Sequence, residues 1–235
     1  DFNYEKPKTL NEALNIRSKY GKSASILAGG TDLIVNLKEE ILQPEIVIDI
    51  KSINELKKIE FVDKKLHIGS LVTFSELIDS KILRDRFQVL WESCKTVAST
   101  SIRNRATLVG NICSAVPSLD CAPSLLVYSA LVCVSTIKGE RTIKIEDWFV
   151  GPKKTALRED EIVTKVIIPL PDKKYAGSYL KLGRYKGEDL AQVCVSVLAF
   201  SDNTFRIAFG AVGPIPKRAL AIEKILNSNK INREL

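Results

Sequence analysis

"LAGGTDLIV", residues 27–35, joins one apolar run to another through two glycines and a Thr-Asp pair. The run before the glycines, "SASIL", reads as a short buried strand. "TDLIVNLKEE" after them has the length and charge of a short helix. A strand that delivers Gly29 and Gly30 to a helix start presents unpaired backbone N–H groups and the positive end of the helix dipole. Missing Cβ atoms let an anion touch the backbone, which suits a pyrophosphate. The spacing matches neither G-x-G-x-x-G nor G-x-x-x-x-G-K-[ST], so neither the dinucleotide fingerprint nor the P-loop is present. A Gly-Gly turn alone serves structure more often than phosphate. The turn acquires a ligand only if other stretches point the same way.

Outward from the turn, "KTLNEALNIRSKYG" predicts a helix with Thr9 and Glu12 as its capping box and Gly21 at its end. "EIVIDI" (45–50) predicts the next strand, so the first fifty residues read as helix, strand, glycine turn, helix, strand. Farther on, "KKLHIGS" reads as a strand, "TFSELIDSKIL" as one helix boxed by Thr73 and Glu76, and "FQVLWESCKTVA" as another helix. A Gly/Ser/Pro/Asn-rich stretch runs from Ser99 to Ser124, followed by strands "ALVCVSTI" and "EIVTKVIIPLP". Lys173 and Lys174 read as a linker. Three strands follow, "GSYLKLGRY", "QVCVSVLAF" and "TFRIAFGAVG", then an amphipathic helix "PKRALAIEKILNSN" opened by Pro216. This order argues for an α+β fold with two or three lobes.

The 235 residues, 45% hydrophobic and 27% charged, are those of a soluble globular protein with room for a substantial core. No apolar run reaches the roughly 18 residues of a membrane span, and "DFNYEKPKTL" lacks a signal-peptide core, so a cytoplasmic location is expected. Five widely spaced cysteines with no C-x-x-C suggest neither a disulfide framework nor a zinc module. His67 is the single histidine, which excludes His-rich metal sites and Ser-His-Asp or Cys-His catalysis within this chain. The net charge of +7 is spread along the chain, which favours a mixed solvated surface over a nucleic-acid face.

Two further stretches carry chemistry. "SIRNRATLVGNICSAVPSLDCAPSLL" (101–126) reads as a long donor-rich loop with little helix or strand pattern. Gly110 permits close backbone approach there, and Thr107, Asn111 and Ser114 offer hydroxyl and amide groups. Asp120, in a largely uncharged run, can accept from sugar hydroxyls. The bland alternative is an Ω-loop held by its own side chains. Cys113 and Cys121 read as small buried hydrophobes. In "YLKLGRYKGEDLA" (179–191), Lys181 sits between Leu180 and Leu182 and points to the opposite face, which residue type favours as the solvated one; a face lining a ligand pocket would instead let its ammonium bond the carbonyls of an aromatic heterocycle.

Taken together and in order, "AGGTDL", "IRNRATLVGNI", "PSLDCAP", "GPKKTAL", "DEIVTKVIIP", "YLKLGRYKGEDLA" and "GAVGPIPKRA" resemble the FAD-binding medium subunit of molybdopterin-dependent hydroxylases, the family of xanthine and carbon monoxide dehydrogenases. The resemblance implies a two-lobed FAD-binding domain of the vanillyl-alcohol oxidase (PCMH) type over residues 1–172, with lobes of about 1–55 and 56–172. A small sheet-and-helix domain would follow at 173–235. It also implies an incomplete C-terminal domain, since family members usually run on past the "PKRALAIEKIL" helix.

By the same resemblance Leu27, Ala28, Gly29, Gly30, Thr31, Asp32 and Leu33 form the first pyrophosphate loop. Thr107, Gly110, Asn111 and Ser114 form the second, and Asp120 holds the ribose or adenine side. Lys181 lies near the pyrimidine edge of the flavin, where it would stabilise negative charge on the reduced ring. Val163 lies against the ring. Val109 stands where the family often has glycine, and Leu119 where it has a small polar residue. No inserted cysteine-rich segment for an extra iron-sulfur cluster is present.

The implied function is an electron-transfer subunit. Electrons from a molybdopterin-binding large subunit would pass through a 2Fe-2S small subunit to FAD on this chain, then to an external acceptor. The rivals are a self-contained flavin reductase or oxidase of the same fold and a basic nucleic-acid-binding module. Substrate, acceptor and oligomeric state have no readable motif.

Overall fold

The computed structural model describes residues 1–185 and 187–228. After strand β1 (Asn3–Glu5), Thr9 accepts from the Glu12 N–H while the Glu12 carboxylate takes the Thr9 N–H, and helix α1 (Leu10–Tyr20) starts at this capping box. Gly21, at φ +50°, ends it. Strand β2 (Ala24–Leu27), helix α2 (Leu33–Lys38) and strand β3 (Ile46–Asp49) complete a small lobe. Its three strands are parallel in the order β1-β3-β2, so Leu27 lies opposite Asp49 at the carboxyl edge. Ala13, Leu14, Ala24, Ile46 and Ile48 form its core, and Leu71 and Ile162 from the next lobe close it.

The second lobe is built on strands β4 (Ile59–Val62) and β5 (Lys65–Gly69), followed by helices α3 (Phe74–Asp79), α4 (Lys81–Arg86), α5 (Gln88–Lys95), α6 (Thr100–Arg103), α7 (Leu108–Ser114) and α8 (Ala122–Val127). Strands β6 (Leu131–Thr136) and β7 (Gly139–Lys144), helix α9 (Ile145–Trp148), the short strands β8 (Phe149–Gly151) and β9 (Lys154–Thr155), and strand β10 (Ile162–Pro169) follow. The main sheet here is antiparallel, ordered β4-β5-β10-β6-β7. Strands β11 (Tyr175–Leu182), β12 (Val193–Phe200), β13 (Phe205–Gly210) and β14 (Lys217–Arg218) then pair in sequence order, and helix α10 (Leu220–Ser228) packs along β13. The result is the α+β molecule that the element order predicts.

Three expectations are corrected. "TFSELIDSKIL" is two helices, because Ser80 is extended (ψ 113°) and its side chain accepts from Leu83 N–H to restart the chain as α4. Pro216 does not open the last helix; residues 217–218 pair as β14 first, and α10 begins at Leu220. The stretch from Ser99 to Ser124 is mostly three short helices. Small polar residues cap two of them, Ser99 accepting from Ile102 N–H and Thr107 from Gly110 N–H, while α8 starts without a side-chain cap and with Pro123 in its first turn. Capping residues mimic loop composition because both roles need short side chains that bond backbone.

The main core joins the second lobe to the C-terminal sheet. Phe74, Phe87, Tyr128, Trp148 and Val163 share it with Tyr179, Cys194, Leu198 and Ala208. Hydrogen bonds reinforce the seam, including the buried Ser124 Oγ to Ser196 Oγ (2.9 Å) and the half-buried Tyr179 N–H to the Glu92 carboxylate (2.8 Å). Val109 and Leu119, the two departures from the family pattern, are both buried in this core. Among the described residues no helix is long and apolar enough to cross a membrane.

Candidate functional site

The carboxyl ends of β2 and β3 leave the parallel sheet side by side, and the residues after them build a cleft. Gly29 packs directly on the segment before α7: a Cβ there would lie 2.0 Å from the Arg105 carbonyl oxygen. Glycine is thus required by a backbone-to-backbone approach, which ties the first stretch to the second. Gly30 has a φ of +80°, and a Cβ on it would meet Leu27 Cδ1 at 3.0 Å. Among the described residues, the N–H groups of Gly29, Gly30 and Thr31 donate to no protein acceptor. Helix α2 has six residues and Asp32 makes no side-chain cap, so these N–H groups, more than a helix dipole, favour an anion.

Two adjoining cavities flank the turn. The larger, 520 Å³, is lined by Ala28, Gly29, Lys51, Thr73, Arg105 and Thr107 among others. The smaller, 370 Å³, is lined by Leu27, Gly29, Gly30, Thr31, Lys51 and Arg105 together with Ile34 and Val35. Both volumes fall in the range of roughly 300–1,000 Å³ of cofactor sites. Lys51 is held by Asp49, whose Oδ2 lies 3.0 Å from the ammonium and whose Oδ1 takes the Lys51 N–H. The Tyr4 hydroxyl donates to the same carboxylate. Burial pushes Asp49 up, but the bonds from Tyr4 and Lys51 outweigh it and hold its pKa below the usual carboxylate value.

On α7, Thr107 is buried and Gly110 keeps its cap close; a Cβ at Gly110 would lie 2.9 Å from Thr107 Oγ1. Ser114 Oγ donates to Asn111 O, and the helix ends on Ala115 in a left-handed conformation. The Asn111 side-chain oxygen is buried with no partner, an uncommon state for a polar atom unless a ligand or water completes it. Cys113, on the same helix, is pushed up to about 12 by burial and stays a neutral thiol.

A second polar centre lies at the seam with the C-terminal sheet. Lys181 points inward, its side chain 9% exposed, while Leu180 and Leu182 on the other face are 67% and 59% exposed. The residue-type preference is inverted here. Lys181 Nζ lies 3.0 Å from an Asp120 oxygen and donates to Thr96 O at 3.0 Å, and the Tyr179 hydroxyl donates to Asp120 Oδ1 at 3.1 Å. Burial raises the Asp120 pKa above the usual value, opposed by Lys181 and Tyr179; burial and the adjacent Asp120 likewise raise Tyr179. Val163 is buried in β10 beside a register shift between it and Lys165.

The structure therefore groups Leu27–Thr31 with Thr107 around the cavities, and Asp120 with Lys181 at the seam. Gly110, Asn111 and Ser114 lie together on α7. Lys51 and Arg105 line both cavities, yet nothing in their local sequence marks them. The sign that could have found Lys51 is a charged pair, Asp49 and Lys51, directly after an apolar strand; its value depends on knowing that β3 ends beside β2.

A family model described as the FAD binding domain in molybdopterin dehydrogenase matches residues 1–171. The chain is 34% identical over 190 residues to the nicotinate dehydrogenase FAD-subunit of Eubacterium barkeri, covering 79% of this chain and 64% of that protein. It therefore spans less than two thirds of that relative's length. It is 32% identical over 220 residues to the carbon monoxide dehydrogenase medium chain of Hydrogenophaga pseudoflava, covering 92% of this chain and 77% of that protein. A solved structure of carbon monoxide dehydrogenase from the same organism superposes with a TM-score of 0.94 at 32% identity, covering 99% of this chain and 82% of that chain.

Proposed function

This chain belongs to the FAD-binding domain family of molybdopterin dehydrogenases, and from that membership we propose that it is the flavin-bearing electron-transfer subunit of a molybdenum-dependent dehydrogenase. Electrons removed from substrate on a molybdopterin-binding partner would pass through a 2Fe-2S partner to this chain and leave for an external acceptor. Its relatives include subunits of nicotinate and carbon monoxide dehydrogenases, so the substrate class is a property of the partner chain.

The observation that carries this reading is the cleft at Gly29–Thr31, where unpaired backbone N–H groups stand with Lys51 and Arg105 between two cavities. The residues fit a dinucleotide. Residues 27–33 offer N–H donors to its diphosphate, with Asp32 and Leu33 fixing the start of α2. Thr107 lines the larger cavity, and Gly110, Asn111 and Ser114 follow it on α7, where the orphaned Asn111 oxygen asks for a donor. FAD, when bound, would supply an acceptor that takes electrons one at a time from an iron-sulfur partner and can release them singly or as a pair.

Lys181 is a fixed, buried cation that would favour a negatively charged ring edge, and Val163 would give the ring an apolar wall. Asp120 touches Lys181 directly, so we assign it to orienting that lysine ahead of the ribose or adenine role. Tyr179, kept protonated by burial, holds the other side of the carboxylate. The C-terminal sheet, through β11, then serves to bring Lys181 to the seam.

The test is the visible absorption spectrum of the purified protein, with the yellow chromophore released by mild heating and identified as FAD. A colourless protein that takes up no FAD on reconstitution would end this reading. Co-purification with iron-sulfur and molybdenum subunits separates it from a free-standing flavin reductase or oxidase.

A further inference from the structure

The parallel sheet of the small lobe sets two chain segments at one edge. Leu27 and Asp49 are register partners, and two residues beyond each lie Gly29 and Lys51. Arg105 reaches the same place from the other lobe, because its carbonyl is the atom that Gly29 packs against. These three residues line both cavities and so form the neck between them.

The two cations are prepared differently. Asp49 is 1% exposed and anchors Lys51 through both its ammonium and its backbone N–H, with Tyr4 holding the carboxylate from the other side. The Lys51 side chain is 41% exposed, so the cation and not the carboxylate meets the cleft. A tethered lysine loses little further freedom when it meets an anion. The exposed Arg105 guanidinium has no hydrogen bond or ion pair among the described residues, which leaves its planar fork available for a phosphate. Glu76, the acid of the larger cavity, is tied to Thr73 by its capping box. Lys57 in that cavity donates to Asn54.

A ligand that fills both cavities must pass its central portion through this neck. In a dinucleotide that portion is the diphosphate, the part that carries the negative charge. We propose that Lys51 and Arg105 form a cationic neck that binds the diphosphate of FAD, with Asp49 and Tyr4 as positioning residues for Lys51. The inference rests on the cofactor assignment above and adds side-chain charge to a site otherwise made of backbone donors.

Apoprotein of the wild type, Lys51→Gln and Arg105→Gln would be titrated with FAD and with riboflavin, which lacks phosphate, across a range of salt concentrations. Each variant should weaken FAD binding by about tenfold, the effect of one charge-assisted hydrogen bond. Riboflavin affinity should stay unchanged in both variants, and the fall of FAD affinity with salt should become shallower; Arg105→Gln should keep the apoprotein unfolding midpoint, while Lys51→Gln, which strips the buried Asp49 of its cation, should lower it. Variants whose FAD affinity and salt dependence match the wild type overturn the inference and leave the cofactor assignment standing. Equal losses for FAD and riboflavin overturn it as well, since the cations would then act through folding. A wild-type protein that binds no FAD overturns the cofactor assignment and this inference together.

Discussion

At the scale of single residues, the two glycines of the turn do different work. Gly29 answers to a neighbouring backbone and Gly30 to its own φ of +80°. Gly29→Ala should therefore force the Arg105 segment away and destabilise the apoprotein by about 1–3 kcal/mol, as overpacking does. Gly30→Ala should cost about 1 kcal/mol, the strain of a left-handed non-glycine residue. Urea unfolding of both apoproteins checks the order. Gly30→Val adds a branched side chain against Leu27 and Ile34 and should abolish FAD retention while the chain still folds. The doublet was visible as a special place in the sequence, but which glycine served which constraint was not. Lys181 is the reverse case: alternation correctly separated it from Leu180 and Leu182, and the residue types then suggested the wrong face. The outward leucines and inward lysine follow from Asp120 and Thr96 O, sixty and more residues away, which no local pattern reports.

At the scale of elements, local chemistry predicted the starts marked by a full capping box and missed those capped by a lone serine or threonine. Both expected capping boxes, at Thr9 and Thr73, form. Ser80 ends one helix and starts the next, a double role that helical periodicity overlooks. Thr107 caps α7 and also lines the larger cavity, so Thr107→Ala should cost about 1 kcal/mol of stability and weaken FAD binding as well; chemical denaturation and FAD titration check the two effects separately.

Two buried acids tie elements together, Asp49 on β3 and Glu161 beside β10. Burial pushes the Glu161 carboxyl up, but the Arg141 guanidinium and the Arg158 N–H outweigh it, leaving the pKa below its usual value; Asp49 behaves alike. A carboxyl with a lower pKa in the folded state adds stability above its unfolded value of about 4, and that stability is lost as pH falls through the folded value. Asp120 has the opposite sign, since its raised pKa costs stability at neutral pH and the cost is relieved as pH falls through the folded value. The unfolding midpoint should therefore drop below about pH 4. Glu161→Gln should flatten that acid limb, and a midpoint-against-pH series measures the change.

At the scale of the whole molecule, the Asp120–Lys181 pair fastens the C-terminal sheet to the FAD-binding lobes. Lys181→Met leaves a buried carboxylate without its cation and should destabilise the protein by about 3 kcal/mol or more. Restoring most of that loss in Lys181→Met with Asp120→Asn would confirm the coupling in a double-mutant cycle. FAD present at a hundred times its Kd should stabilise the chain by about 2.7 kcal/mol through mass action, read as a rise in the thermal midpoint.

The sequence by itself determined the α+β class and, after β1, the order of helices and strands in the small lobe, and the family was legible in it as a resemblance running along the chain. The class and that order follow from spacing, composition and local hydrogen bonding, all written within a few residues. Only the tertiary structure decided that Lys51 and Arg105 meet at Gly29, that the supposed loop after Ser99 is largely three short helices, and that Asp120 faces Lys181. Each depends on strand register or on packing between lobes, and such distant contacts leave no periodic trace in the chain that makes them.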